Sequence, residues 1–116
     1  MDISLIQTHR WDIDDPRNLA LPESERGYLM LREMTAPESA LYEQGLKSGD
    51  PNETASKLKD LVVKSIVSIH NVHVGTGADA RAIVDPAELY EALGVRLVWK
   101  IVRFISSPVS EQELKN

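Results

Sequence analysis

The segment from Leu58 to Ile105 constrains the fold of this 116-residue chain more than any other. It contains an apolar helical pattern, a loop with Gly75 and Gly77, a capped helix that begins after Asp85, and the very apolar run from Val95 to Ile105. This succession predicts a small helical domain. The segment also carries more apolar surface than so short a chain needs for its own core.

A capping box marks the start of one helix upstream of this segment. The hydroxyl of Thr35 can accept the N–H of Glu38, and the Glu38 carboxylate can reach back to the N–H of Thr35. Pro37 suits the first helical turn, where its missing N–H is no loss. We expect this helix to run from about Ala36 to Lys47 and to end at Gly49.

A second helix is predicted by apolar residues at spacings of three and four between Leu58 and Ile69. Asn52 or Thr54 can cap its start, and we place its end near His70. Its last turns are rich in β-branched residues, so an extended end stays open as an alternative.

Two more helices are expected after the glycine loop. Asp85 caps the first of them, which has a proline in its first turn and ends at Gly94. The second runs from Val95 to about Ser106 and is ended by Pro108. In the loop between residues 71 and 84, two very short strands can pair as a hairpin.

The first third of the chain contains fewer helix signals. Residues 3–6 have the character of a short strand, and residues 11–18 are rich in turn formers, so we expect a loop there. Residues 28–34 are expected to be extended. If both apolar segments are strands, they form a small antiparallel hairpin.

These expectations define the predicted fold class as mainly α. We expect a small bundle of about four helices with a short N-terminal β-hairpin or extended segment. The length fits a single domain over residues 1–116. Within it, residues 1–27 form an acidic, loop-rich segment, residues 28–107 the helical core, and residues 108–116 a frayed tail.

Composition excludes several classes of protein. The chain has no cysteine, which removes disulfides and cysteine-based metal or nucleophilic sites. No apolar run is long enough for a membrane span, and no secretory signal is evident. The net charge is −5, and the surplus of acid lies before residue 54, where nucleic acid would instead require a basic face. We expect a soluble cytoplasmic protein with no cofactor and no nucleic-acid or membrane partner.

Motifs that carry chemistry are weak. The segment Gly75 to Ala80 matches the loose dinucleotide pattern G-x-G-x-x-A, but Pro86 follows too soon for a crossover helix. His70 and His73 have a spacing that can share a metal, with His9, Asp12, Asp14 and Asp15 as candidates for further ligands, yet nothing brings these segments together. No nucleophilic serine motif is present. We therefore expect a protein that is not an enzyme and holds no metal.

The run from Val95 to Ile105 supplies the candidate binding surface. On a helical wheel its apolar residues cover about 220°, and its basic residues occupy about 60°. One interpretation is the central helix of a bundle, with the basic residues on its wet side. The other is that a second protein covers one edge of the apolar arc, since Trp, Phe and Arg are typical of interfaces. The predicted partner-binding residues are Arg96, Leu97, Trp99, Lys100, Ile101, Arg103 and Phe104.

Three stretches carry a family resemblance. Leu31 to Glu38 looks like a strand followed by a capped helix start, Ile69 to Val72 ends an apolar helix, and Ile83 to Leu89 leads from the glycine loop into the last helices. Over most of the chain from Tyr28 to Ile105, this order resembles the small tail assembly chaperones of long-tailed phages and prophages.

The resemblance implies a protein that coats the apolar, helical tape measure protein, in the cytoplasm of the bacterial host, until the tail tube polymerises. Leu97, Trp99, Ile101 and Phe104 would then line an apolar groove with the basic residues at its rim. Two other classes stay open: a structural head–tail or neck component, and a small regulatory module that binds a peptide or metabolite. The apolar face also leaves a homo-oligomer open.

Overall fold

The computed structural model describes residues 7–106. This range forms a three-stranded sheet, a two-stranded hairpin and five α-helices. In chain order the elements are β1 (Thr8–Asp12), α1 (Pro16–Leu19), β2 (Tyr28–Arg32), α2 (Ala36–Lys47), α3 (Pro51–Ser65), β3 (Ile66–His70), β4 (His73–Val74), β5 (Arg81–Ala82), α4 (Pro86–Ala92) and α5 (Val95–Ser106). The strand predicted at residues 3–6 and the tail predicted at 108–116 lie outside the described residues.

The prediction of a mainly α bundle is wrong, because the domain mixes helices with an antiparallel sheet of order β1–β2–β3. Two segments account for the error. Residues 8–12 pair with β2, although residues 11–18 were expected to form a loop. Residues 66–70 also pair with β2, although they were expected to end the second helix. Pairing with a distant strand outweighs local helix propensity at these positions.

The change from α3 to β3 occurs within a single residue. Ser65 is buried and its hydroxyl donates to the carbonyl oxygen of Val62 at 2.7 Å, whereas Ile66 already has an extended backbone. The β2–β3 register is irregular here: Leu31 lies opposite Ile66 and Met30 opposite Ser68, so Val67 is an extra residue. This bulge leaves the Val67 side chain exposed.

The predicted caps of α2 and α4 are confirmed, whereas the predicted cap of α3 is wrong. Thr35 and Glu38 form both bonds of the capping box at the start of α2, and Gly49 beyond its end has a positive φ of 74°. Asp85 caps α4 by accepting from the second helical N–H. Helix α3 is capped by Asp50 rather than by Asn52 or Thr54. The short hairpin expected in the glycine loop is formed by β4 and β5.

One face of the sheet packs against the helices. Leu29 and Leu31 of β2 are fully buried there, and α5 contributes one side of its apolar arc. A backbone bond of 2.9 Å from the N–H of Met34 to the carbonyl of Ile105 ties the end of α5 to the chain beyond β2. The core consists of Trp11, Leu29, Leu31, Leu61, Val62, Ile66, Ile83, Leu89, Val98, Ile101, Val102 and Ile105.

The segment between β1 and β2 is held by the side chain of Asn18. Its amide nitrogen Nδ2 donates to the carbonyl oxygens of Ile13 and Gly27, both at 2.9 Å, and its Oδ1 accepts the N–H of Gly27 at 2.7 Å. Asp15 caps α1 within the same segment. These bonds place the acidic residues 14 and 15 beside α5.

Candidate functional site

The predicted partner-binding residues all lie on α5, but they do not share one surface. Ile101 is fully buried, so it belongs to the core and is not available to a partner. Leu97 and Phe104 are half-buried, and the Phe104 ring meets the ring of His9 edge-on with centroids 6.3 Å apart. Trp99 remains 45% exposed. The four residues expected to line one groove are therefore divided among the core and two sides of the helix.

Two of the three basic residues of α5 are engaged by the acidic segment before α1. Lys100 Nζ lies 2.8 Å from Asp14 Oδ2. Arg96 Nη2 lies 3.8 Å from Asp15 Oδ2, and Arg96 Nη1 donates to the carbonyl oxygen of Asp14. Arg103 is exposed and makes no ion pair with any residue between 7 and 106. The chain itself thus occupies most of the basic rim that we expected to meet a partner.

One side of α5 stays accessible, and we call it the α5 flank: Val95, Trp99, Arg103 and Ser106. Residues three or four apart lie on the same side of a helix, which aligns these four positions. The Val95 side chain is 70% exposed. The α5 flank is about 16 Å long, from the rise of 1.5 Å per residue.

An open cleft lies at each end of the α5 flank. The cleft beside Val95 has a volume of 270 Å³ and is lined by Leu58, Tyr90, Glu91, Leu93, Val95 and Val98. The cleft beside Ser106 has a volume of 590 Å³ and is lined by Met34, Thr35, Ala36, Ser39, Tyr42, Glu43, Leu46 and Ser106. Along the helix, Trp99 lies between these two clefts.

Helix α2 forms a wall of the larger cleft and contributes little to the core. Gly45 is its one buried residue, while Leu41 and Leu46 are about half exposed. Gly45 lies close to α3, because a Cβ atom added to it would be 3.0 Å from the Cγ atom of Lys57. The apolar side of α2 is therefore accessible beside the α5 flank.

The start of α2 is held in place by an ion pair between two largely buried side chains. Arg32 donates to both carboxylate oxygens of Glu38, at 2.8 and 2.7 Å, and Glu38 Oε1 accepts the N–H of Thr35 at 3.0 Å. The pKa of Glu38 is lowered to about 2, mainly by the hydrogen bond from Arg32. The hydrogen bonds from Thr35 lower this pKa further. The position of the α2 wall thus depends on this pair.

The histidines considered as metal ligands have other contacts. The His70 ring stacks on Tyr28 with centroids 4.5 Å apart, and its Nε2 lies 2.8 Å from the hydroxyl of Ser68. His73 is exposed on β4. Between residues 7 and 106 no group of three or more His, Asp or Glu side chains is arranged to hold a metal ion. In the same range, no helix has the length and apolar character required to cross a membrane.

Sequence reasoning missed the walls of both clefts. The helix from Ala36 to Lys47 was predicted, but its residues Tyr42 and Leu46 were not connected to α5. Val95 was counted in the apolar arc without a role of its own. The apolar side of α2 was visible in the sequence, but only the structure shows that α2 contributes little to the core and leaves that side uncovered.

Together these features define a small mixed α and β domain in which the helices pack on one face of the sheet. An aromatic residue on its last helix, Trp99, is exposed. Comparison with family models, with curated proteins and with solved structures gives no significant match. The resemblance to tail assembly chaperones therefore depends on the sequence motifs alone.

Proposed function

We propose that this protein is a non-enzymatic binding protein that holds an apolar helical segment of another protein along the α5 flank. The observation that carries the proposal is the exposure of Trp99 between two apolar clefts. A helix that binds in a groove presents apolar residues at intervals of three, four and seven positions. The α5 flank is long enough for about three turns of such a helix.

The energetics of Trp99 favour this role. Covering its exposed part would remove roughly 100 Å² of mainly apolar surface from water, given the size of aromatic side chains. At about 25 cal/mol per Å², the transfer of this surface from water amounts to about 2.5 kcal/mol, from which the cost of ordering the two partners is subtracted. That magnitude is typical of a residue that dominates an interface.

Charged groups beside the clefts would orient the partner. Arg103 lies one turn from Trp99, and Glu43 lines the larger cleft. A partner helix with an acidic side chain near Arg103 and a basic one near Glu43 would complement both. Because these groups are exposed, they select orientation and contribute little affinity.

As the identity of the partner we propose the tape measure protein, following the family resemblance. A long apolar helical protein needs its surface covered until its final partners assemble around it. In this proposal the chain acts as a tail assembly chaperone in the cytoplasm of a bacterial host. A chaperone is released during assembly, so its absence from mature particles would distinguish it from a head–tail component.

Coexpression with a tape measure fragment from the same genome tests the proposal. We expect a soluble complex that copurifies, and we expect Trp99→Ala to abolish it. Leu19→Ala is the matched control, since Leu19 is also a large exposed apolar residue but lies on α1. Absence of any complex with the unchanged chain, or equal loss of the complex in both variants, would overturn the proposal.

A further inference from the structure

A third cleft opens on the side of α5 opposite to the α5 flank. It has a volume of 320 Å³ and lies between the segment 13–18, the β4–β5 hairpin, α4 and the start of α5. Leu97 is the residue of α5 that lines this cleft. Because Leu97 and Trp99 are two positions apart, they lie about 160° apart around the helix. The cleft therefore lies apart from the α5 flank, and it shares only Leu93 with the cleft beside Val95.

The walls of this cleft are mostly apolar. Ile83 and Leu89 are buried, and the half-buried residues Ile13, Leu93 and Leu97 complete much of the lining. A pocket of this kind, with few polar groups, is typical of sites for small ligands. Its volume equals that of about ten water molecules in the liquid, which sets the ligand size at about ten non-hydrogen atoms.

The polar groups at the mouth of the cleft carry an excess of positive charge. Asp15 lies in the lining, with its carboxylate 3.2 Å from Arg17 Nε and 3.8 Å from Arg96 Nη2. Beside it, Asp14 pairs with Lys100. Asp14 and Lys100 lie outside the lining and balance each other, whereas Arg17 and Arg96 share the single carboxylate of Asp15, so one more anion would balance these two cations.

Arg17 can exchange its present partner for a ligand. Its side chain is 93% exposed, and an ion pair in such a position contributes little to stability. The planar guanidinium presents paired donors that match a carboxylate. Arg17 also lines the cleft, so a carboxylate at the mouth can meet it without movement of the backbone.

We propose that this cleft binds a small apolar carboxylic acid. The hydrocarbon part lies among Leu89, Leu93 and Leu97, and the carboxylate binds the exposed guanidinium of Arg17 at the mouth, beside the Asp15 carboxylate that lies between Arg17 and Arg96. An acid with about ten non-hydrogen atoms, such as octanoate, fits the volume.

Nuclear magnetic resonance titration of the full chain with octanoate tests this site, with octanol and octylammonium as matched probes. We expect saturable shifts of the amide signals of Val74, Ala92 and Leu97, which line this cleft and not the cleft beside Val95, with octanoate binding more tightly than octanol and octylammonium weakest. The absence of saturable shifts, equal affinity for the three probes, or shifts confined to the α5 flank would overturn the proposal.

Two variants and one control variant separate the site from general apolar adsorption. Ala92 is exposed and lines the cleft, so Ala92→Trp is expected to fill the cleft and abolish binding. Ala55 is exposed on α3, away from the cleft, so Ala55→Trp is expected to leave binding unchanged. Arg17→Gln is expected to weaken octanoate about threefold and leave octanol unaffected, since an exposed ion pair is weak. If Ala92→Trp fails to fold, the Arg17→Gln comparison decides, and equal octanoate affinity in that variant contradicts the proposal.

Discussion

Arg32 binds the carboxylate of Glu38 with both terminal nitrogens, Nη1 to Oε1 at 2.8 Å and Nη2 to Oε2 at 2.7 Å. The pair joins the last residue of β2 to the first turn of α2, and both side chains are less than one quarter exposed. Bidentate charge-assisted bonds of this type are stronger than ordinary hydrogen bonds. The wall of the larger cleft is therefore attached to the sheet at this point.

The Arg32–Glu38 pair is expected to make stability depend on acid pH. The pKa of Glu38 falls from its ordinary value of 4.5 to about 2 in the folded state, so the stabilisation is complete above the unfolded value and is lost as the pH falls from 4.5 towards 2. The full shift corresponds to about 3 kcal/mol, and partial solvent contact reduces our expectation to about 2 kcal/mol. Urea unfolding of the unchanged chain and of Glu38→Gln between pH 7 and 2 measures it.

The difference between these two proteins should be largest at neutral pH and should shrink below pH 4.5. Glu43→Gln is the control on the same helix, because Glu43 is exposed. A difference for Glu38→Gln that stays constant down to pH 2 would show that the pair does not have the lowered pKa.

Asn18→Ala is expected to lower the free energy of unfolding by about 2–3 kcal/mol. The substitution removes three hydrogen bonds at a partly buried position and leaves the N–H of Gly27 without its partner. Asn18→Asp keeps the acceptor for Gly27 but places a carboxylate oxygen against the carbonyl oxygens of Ile13 and Gly27, so it should not restore the lost stability. Chemical denaturation compares the two, and an Asn18→Ala variant as stable as the unchanged chain would contradict the role of Asn18.

Gly75→Ala is expected to destabilise the β4–β5 hairpin more than Gly77→Ala. Gly75 has a φ of 88°, and an added Cβ would lie 2.7 Å from the carbonyl oxygen of Asp79, whereas Gly77, with a φ of 58°, has open space around it. We expect about 1 kcal/mol for Gly77→Ala and about 2–3 kcal/mol for Gly75→Ala. Hydrogen exchange of the Ile83 N–H, which bonds to the carbonyl of Val72, reports the opening, and equal rates in both variants would exclude the steric explanation.

The capped helices could be predicted because their signals are local. Thr35 and Glu38 lie three residues apart, and the whole capping box is visible in that interval. The same holds for Asp85 at the start of α4. Strands β1 and β3 could not be predicted in this way, because each depends on Tyr28–Arg32, which lies far from both in sequence.

The candidate site was predictable only in part for the same reason. The wheel of α5 showed how wide the apolar arc is, but it could not show which edge the core leaves free. Lys100 and Arg96 were placed at a binding rim, yet they pair with Asp14 and Asp15 more than 80 residues earlier in the chain. Trp99 and Arg103 remain accessible because no such long-range contact within residues 7–106 covers them.

The fluorescence of Trp99 during titration with a tape measure fragment tests the central claim most directly. Trp99 is 45% exposed and Trp11 is only 9% exposed, so a change in emission reports the α5 flank. Covering Trp99 should move its emission to shorter wavelength in step with complex formation, and a Trp11→Phe variant should show the same shift. A complex that forms with no change in the emission of Trp99 would contradict binding at the α5 flank.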